Sequence, residues 1–256
     1  MDGNRTGRLF LNLAIAIGVV GLFFYLITSS QFSQEMITWG LLILVLVLLV
    51  GGWVYNAWSG KKRRETLQQT AMELGYNFRP EAKDFSDSLQ NSSPFGIFGK
   101  GRNRKAYNIL RGQRRDAQVA VFDYRYTTGG GRSSQTHYQT LVLFTLSEAR
   151  LTPFNLKPRG FFDKIAARFG RREVRLEVTP EFSRRYQVTG DDEWAIRRVF
   201  STAVVALLEQ QGNLCCEASA DQLLVYRPDK RVKPEDLRTF IDSATQLLDL
   251  MRHSLV

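Results

Sequence analysis

A stretch of uncharged residues, "MITWGLLILVLVLLVGGWVYNAW" from Met36 to Trp58, stops just short of four consecutive cations, Lys61, Lys62, Arg63 and Arg64. No other feature of the chain constrains its folding as strongly. At about 1.5 Å rise per residue, roughly 20 residues cover the ~30 Å hydrocarbon layer of a bilayer. The unbroken Leu, Ile and Val run from Leu41 to Val50 contributes about −3 to −6 kcal/mol to insertion. Trp39, Trp53, Tyr55 and Trp58 sit near its two ends, where aromatic rings suit the headgroup zone. The competing reading of such a segment is a buried helix of a soluble core.

An earlier segment, Leu9 to Thr28, is also uncharged, with Asn12 as its one strongly polar side chain, and predicts a first span. The intervening "SSQFSQE" holds no Lys or Arg, whereas the basic cluster directly follows the second span. The positive-inside bias then puts the loop outside and both termini in the cytoplasm, with the cluster ending the second helix at the inner face. Arg5 and Arg8 ahead of the first segment and "TSS" after it also fit a cleaved signal peptide, although the apolar run is longer than usual for one. Cleavage would leave the rest of the chain on the same side. Ala14, Gly18 and Gly21 share one helical face, suited to packing the two spans into a hairpin or to joining copies as a homo-oligomer. Neither span carries an Asp, Glu, Lys, Arg or His, which argues against an ion path.

The predicted organisation is a short cytoplasmic N-terminus (1–8), transmembrane helix 1 (9–28), an extracytoplasmic loop (29–35), transmembrane helix 2 (36–58), a basic juxtamembrane linker and helix (59–75) and a cytoplasmic α+β domain (76–256). The charges before residue 59 cancel, leaving 33 Lys and Arg against 23 Asp and Glu in the remainder and a net charge of +10. Ser59 and Gly60 mark a hinge, and Leu67, Ala71 and Leu74 with Gly75 behind them predict a short helix over 65–74. The polar stretch 78–94 predicts a loop. "FGIFGK", "AYNILRG", "QVAVFDYRY" and "THYQTLVLFTL" predict strands of an antiparallel meander, with Val119 to Phe122 apolar on both faces as in a central strand. Further on, "GFFDKIAARFG" predicts a short amphipathic helix, "REVRLEV" and "RRYQVTG" strands, and 191–212 one long helix. "LCCEAS" with "QLLVYRP" predicts a hairpin, and a last helix follows Pro234. The fold class is α+β, a mainly antiparallel sheet with flanking helices.

Motif chemistry yields mostly exclusions. His137 and His253 are far apart in sequence, and Cys215 and Cys216 are adjacent rather than in C-x-x-C spacing, so neither a metal site nor a cofactor is expected. Adjacent strand residues face opposite ways, which predicts one core and one surface thiol. "GKGRNRK" and "TGGGRSSQ" lack the phosphate-loop pattern and read as turns. His137 lies near Ser133 and Ser134 in sequence, without a nucleophile elbow. Scattered basic residues without a recognisable module give no nucleic-acid reading.

Two groups of residues are candidate sites. Asp123, Tyr124, Arg125 and Tyr126 put charge and aromatic surface at the end of a central strand beside a glycine-rich loop, as a ligand or partner surface would. The alternative is an Asp and Arg paired with neighbouring strands while the tyrosines pack inside. Phe161, Phe162, Lys164 and Arg168 interleave rings and cations as in a membrane-surface helix, and Lys61, Lys62, Arg63 and Arg64 would join them in contacting anionic lipid. An ordinary domain helix with a solvated basic face has the same pattern.

The order "NILRG", "VAVFDYRY", "TPFNLKPRG", "TPEFSRRYQVTGDDE", "LLVYRP" resembles a family of bacterial membrane proteins of unknown function with two N-terminal spans and one cytoplasmic domain. The resemblance implies that architecture and location in the bacterial inner membrane, and carries no catalytic residue. The leading expectation is a non-catalytic cytoplasmic domain that binds a protein partner at the inner membrane and touches membrane lipids through its basic residues. The alternative is a domain sensing a lipid headgroup or small ligand. A third reading is a membrane-anchored enzyme using Asp123 with Tyr124 or Arg125.

Overall fold

A computed structural model of the protein describes residues 34–147, 150–160, 172–176 and 178–253. The first span, with Ala14, Gly18 and Gly21, and the Phe161, Phe162, Lys164 and Arg168 segment lie outside the described residues. The chain divides into two compact units, one ending at Lys61 and the other running from Lys62.

One helix, α1, runs from Gln34 to Leu74. Among the described residues it alone is long and apolar enough to cross a membrane. In the first unit its Leu41, Leu46, Leu48 and Trp53 side chains are exposed, as lipid-facing residues of a span would be. Ser59 and Gly60, expected as a hinge, and the four cations behind them all lie within the helix. A glycine inside a helix costs about 1 kcal/mol relative to alanine, which does not break it, and the downstream turns are anchored because Leu67 and Ala71 are buried in the core of the second unit.

The second unit is built on one antiparallel sheet of eight strands: β1 (Asn77–Glu81), β2 (Arg102–Arg114), β3 (Ala117–Thr128), β4 (Gln135–Leu146), β5 (Leu151–Pro158), β6 (Tyr186–Gly190), β7 (Cys215–Ala220) and β8 (Gln222–Tyr226). Their spatial order is β1-β2-β3-β4-β8-β7-β5-β6. The β2-β3-β4 meander and the β7-β8 hairpin match the expectation, because period-2 alternation and turn residues are local signals.

Both faces of the sheet are covered. Against one face, with Val119, Val121, Val142 and Phe144, pack the end of α1 and helices α3 (Pro180–Arg185), α4 (Glu193–Val199), α5 (Thr202–Gln211) and α6 (Leu237–His253). Against the other, with Phe122, Tyr124, Tyr126 and Leu141, pack α2 (Lys83–Ser92) through Phe85 and Leu89, and a 3₁₀ turn, Gly96–Gly99, through Ile97 and Phe98. Cys215 joins the second core and Cys216 the first, so both thiols are buried. The expected surface thiol is corrected because no face of this strand is left to solvent.

Other expectations change for similar reasons. The predicted loop over 78–94 holds β1 and α2. "FGIFGK" forms the 3₁₀ turn rather than a strand, since Ile97 and Phe98 both enter the same core and a strand would send them to opposite faces. The long helix over 191–212 is two. Asp192 caps α4 by accepting from the Ala195 N–H at 3.0 Å, and the helix breaks where Phe200 packs edge-on to Phe154 at 5.1 Å. Gly212, at φ +57°, ends α5. Within 172–178 only an isolated bridge, Glu173 to Thr189, is found among the described residues.

Candidate functional site

Asp123 sits in the middle of β3, opposite Tyr107 on β2 and Thr140 on β4. The period of the strand sends Phe122 and Tyr124 to one core and Asp123 to the other face, where an apolar residue would be expected. Only 1% of it is exposed, and burying a carboxylate demands compensation. Four donors supply it. Arg63, at the start of the packed part of α1, donates through Nε to Oδ2 and through Nη2 to Oδ1, both at 2.8 Å. Thr140 Oγ1 donates to Oδ1 at 2.8 Å, and Asn108 Nδ2 donates to Oδ2 at 3.0 Å.

The local structure makes this possible. The β2–β3 register is interrupted between Tyr107 and Leu110, and Asn108 there has φ +52°, a conformation asparagine tolerates better than most residues. That irregularity turns its amide toward the carboxylate. Thr140 in turn accepts from the Val232 N–H at 3.0 Å, tying in the chain that leads to α6. Burial works against the charge of Arg63, but its hydrogen bonds to Asp123 and that carboxylate's field outweigh it and raise its pKa. Both carboxylate oxygens are occupied and shielded, so Asp123 holds the Arg63 turn of α1 against the sheet.

The other predicted residues fall in different places. Tyr124 and Tyr126 are buried: Tyr124 meets Phe98 edge-on at 5.2 Å, and Tyr126 stacks on His137 at 4.8 Å. Burial pushes the Tyr124 phenol well above its ordinary pKa, and its hydroxyl has no hydrogen-bond partner among the described residues. Of the four, Arg125 alone is exposed, so the quartet does not form one surface. Of the basic cluster, Lys61, Lys62 and Arg64 are exposed, while Arg63 is committed to Asp123 and unavailable to lipid.

Two polar groups were missed by sequence reasoning. His137 pairs not with Ser133 or Ser134 but with Thr128, Oγ1 to Nε2 at 2.8 Å, and with Asp229, Nδ1 to Oδ1 at 2.6 Å. The order of hydroxyl, imidazole and carboxylate is that of an activated nucleophile. Neither Thr128 nor His137 lines the cavities of about 500, 450 and 260 Å³ formed by the described residues, however, and the triplet fastens the loop after β8 to the β3–β4 hairpin. Glu217, 3% exposed, accepts from the Tyr226 hydroxyl at 2.9 Å and from the Gly96 N–H at 3.1 Å, holding the 3₁₀ turn to the sheet. A lone Glu inside the apolar "LCCEAS" strand was the available signal for it. Among the described residues no three His, Cys, Asp or Glu side chains gather as a metal site would need.

These features define an α+β protein on an eight-stranded antiparallel sheet, with a helix long and apolar enough to cross a membrane ahead of it. No family model matches the chain, and no curated protein matches its sequence. A solved structure shares the fold: the crystal structure of the mycobacterial trehalose monomycolate transport factor A, TtfA, matches with a TM-score of 0.53 and 15% identity, over 75% of this chain and 93% of that one.

Proposed function

We propose that this chain is an integral protein of the bacterial inner membrane whose α+β domain, on the cytoplasmic side with both termini, serves as a non-catalytic platform for a protein partner. The observation that carries this reading is the saturated Asp123. The one carboxylate at the heart of the predicted site is used, with Arg63, to make the last turns of α1 part of the domain's core instead of a loose tether. A platform built in this way offers a partner a preorganised surface. The fold is shared with a transport factor, which agrees with a non-catalytic role for this chain.

In-cell crosslinking of the tagged full-length protein, followed by purification and mass spectrometry, tests the proposal. One abundant membrane-protein partner is expected, absent from a control carrying residues 1–75 only. Recovery of the same proteins with both would overturn it.

A further inference from the structure

Beyond Glu81, where β1 ends, the outer edge of β2 has no neighbouring strand among the described residues, and a cavity of about 500 Å³ opens against it. Four cations, Lys83, Arg104, Lys105 and Arg125, line it against two carboxylates, Glu81 and Asp87. The register sets three of the lining side chains in a row, with Lys105 opposite Arg125 and Arg125 opposite Tyr138. Like charges directly opposed on neighbouring strands destabilise a sheet.

The protein answers only part of this charge. Glu81 accepts from Lys105 Nζ at 2.8 Å; that contact, with the fields of Arg64 and Arg125, lowers the Glu81 pKa. Arg104 donates to the Phe98 carbonyl at 3.0 Å, which occupies a donor without cancelling its charge. Arg125 and Lys83 are exposed, and neither side chain makes a hydrogen bond or ion pair with a described residue. Thr127 and Thr136, whose hydroxyls are hydrogen-bonded to each other at 3.1 Å, leave one neutral O–H donor on the wall.

We propose that this cavity binds a phosphate group, carried by an anionic lipid headgroup or by a soluble phosphate ester. The planar fork of Arg125 suits two phosphate oxygens at once, and Lys83 supplies a second charge. A bound anion removes the repulsion between Lys105 and Arg125. The volume lies within the range of small-ligand sites. Arg64, six residues beyond Trp58 on the same helix, brings the charge field close in sequence to the apolar span.

Isothermal titration of the full-length protein in uncharged detergent, at fixed ionic strength, provides the test, with glycerol phosphate, dihexanoyl phosphatidylglycerol and dihexanoyl phosphatidylcholine as ligands. Saturable binding of phosphatidylglycerol alone supports the site and assigns it to lipid; binding of glycerol phosphate, with or without the lipid, supports it and assigns a soluble ester. In either case Arg125→Gln with Lys83→Gln weakens binding about tenfold or more, with an unchanged melting temperature of the unliganded protein, and Lys83→Gln alone weakens it less. No saturable binding of either anionic ligand, or binding indifferent to the double variant, overturns the proposal, as does equal affinity for phosphatidylcholine.

Discussion

Arg63 and Asp123, sixty residues apart in sequence, meet through two parallel hydrogen bonds of 2.8 Å. This fork ties the Arg63 turn of α1 to the middle of the sheet within the second unit. Taking two charges out of water is costly, and removing one partner strands the other, typically at 3–5 kcal/mol. Asp123→Ala is therefore expected to destabilise the second unit by about that amount in urea unfolding of the detergent-solubilised protein. A double-mutant cycle with Arg63→Ala should return a coupling of about 1–3 kcal/mol; strictly additive losses would show that the two side chains do not act as a pair.

Gly112 on β2 lies under the ring of Tyr76, and a Cβ added there would fall 2.0 Å from a ring carbon. The ring must move, and with it the hydrogen bond that its hydroxyl accepts from Arg114 Nε at 2.9 Å. Gly112→Ala should cost about 1–3 kcal/mol, the usual range for overpacking. Tyr76→Ala in the same chain should relieve the clash, so that the double variant loses less than the two single losses combined. A Gly112→Ala protein melting with the wild type would contradict this close approach.

The buried thiols carry a pH signature. Burial, and then the charge of Glu217, push Cys215 up to about 12 from an ordinary 9.0, and Cys216 is raised well above that value by the same causes. Since the folded pKa lies above the unfolded one, the thiols leave stability unchanged below about pH 9 and erode it as the pH rises toward 12. Thiol-specific alkylation at pH 8 should be slow in the native protein and rapid in urea. Rapid native labelling would place at least one thiol at the surface.

Asp116, in the turn between β2 and β3, accepts from Arg252 of α6 at 2.7 and 2.5 Å. These bonds, chiefly, bring its pKa down from 3.8 to about 2. The folded value is the lower one, so the contact is fully present above about pH 4 and is lost as the pH falls toward 2. Because Asp116 is exposed, the effect should be local: hydrogen exchange at the end of α6 should quicken on acidification, and Arg252→Gln should remove that pH dependence.

Legibility from sequence followed the range of the interaction. The β2–β4 meander, the β7–β8 hairpin and α6 were readable because alternation, turn residues and helical spacing are properties of neighbouring positions. The break at Phe200 was not, because its ring is held by Phe154, 46 positions earlier in the chain. Asp123 stood out as a charge in an apolar strand, yet its partner lay in a cluster that composition alone assigned to lipid.

The amino-acid sequence by itself determined that an uncharged helix able to span a bilayer precedes a basic, α+β folded part, since hydrophobic length and charge position are carried by consecutive residues. Only the tertiary structure decided that Leu67 and Ala71 enter the core of the second unit, that Arg63 turns to Asp123, and that Cys215 and Cys216 both lie in cores. A residue's partner, and whether the second face of a sheet is covered, depend on which distant segments pack against it, and local periodicity holds no record of that.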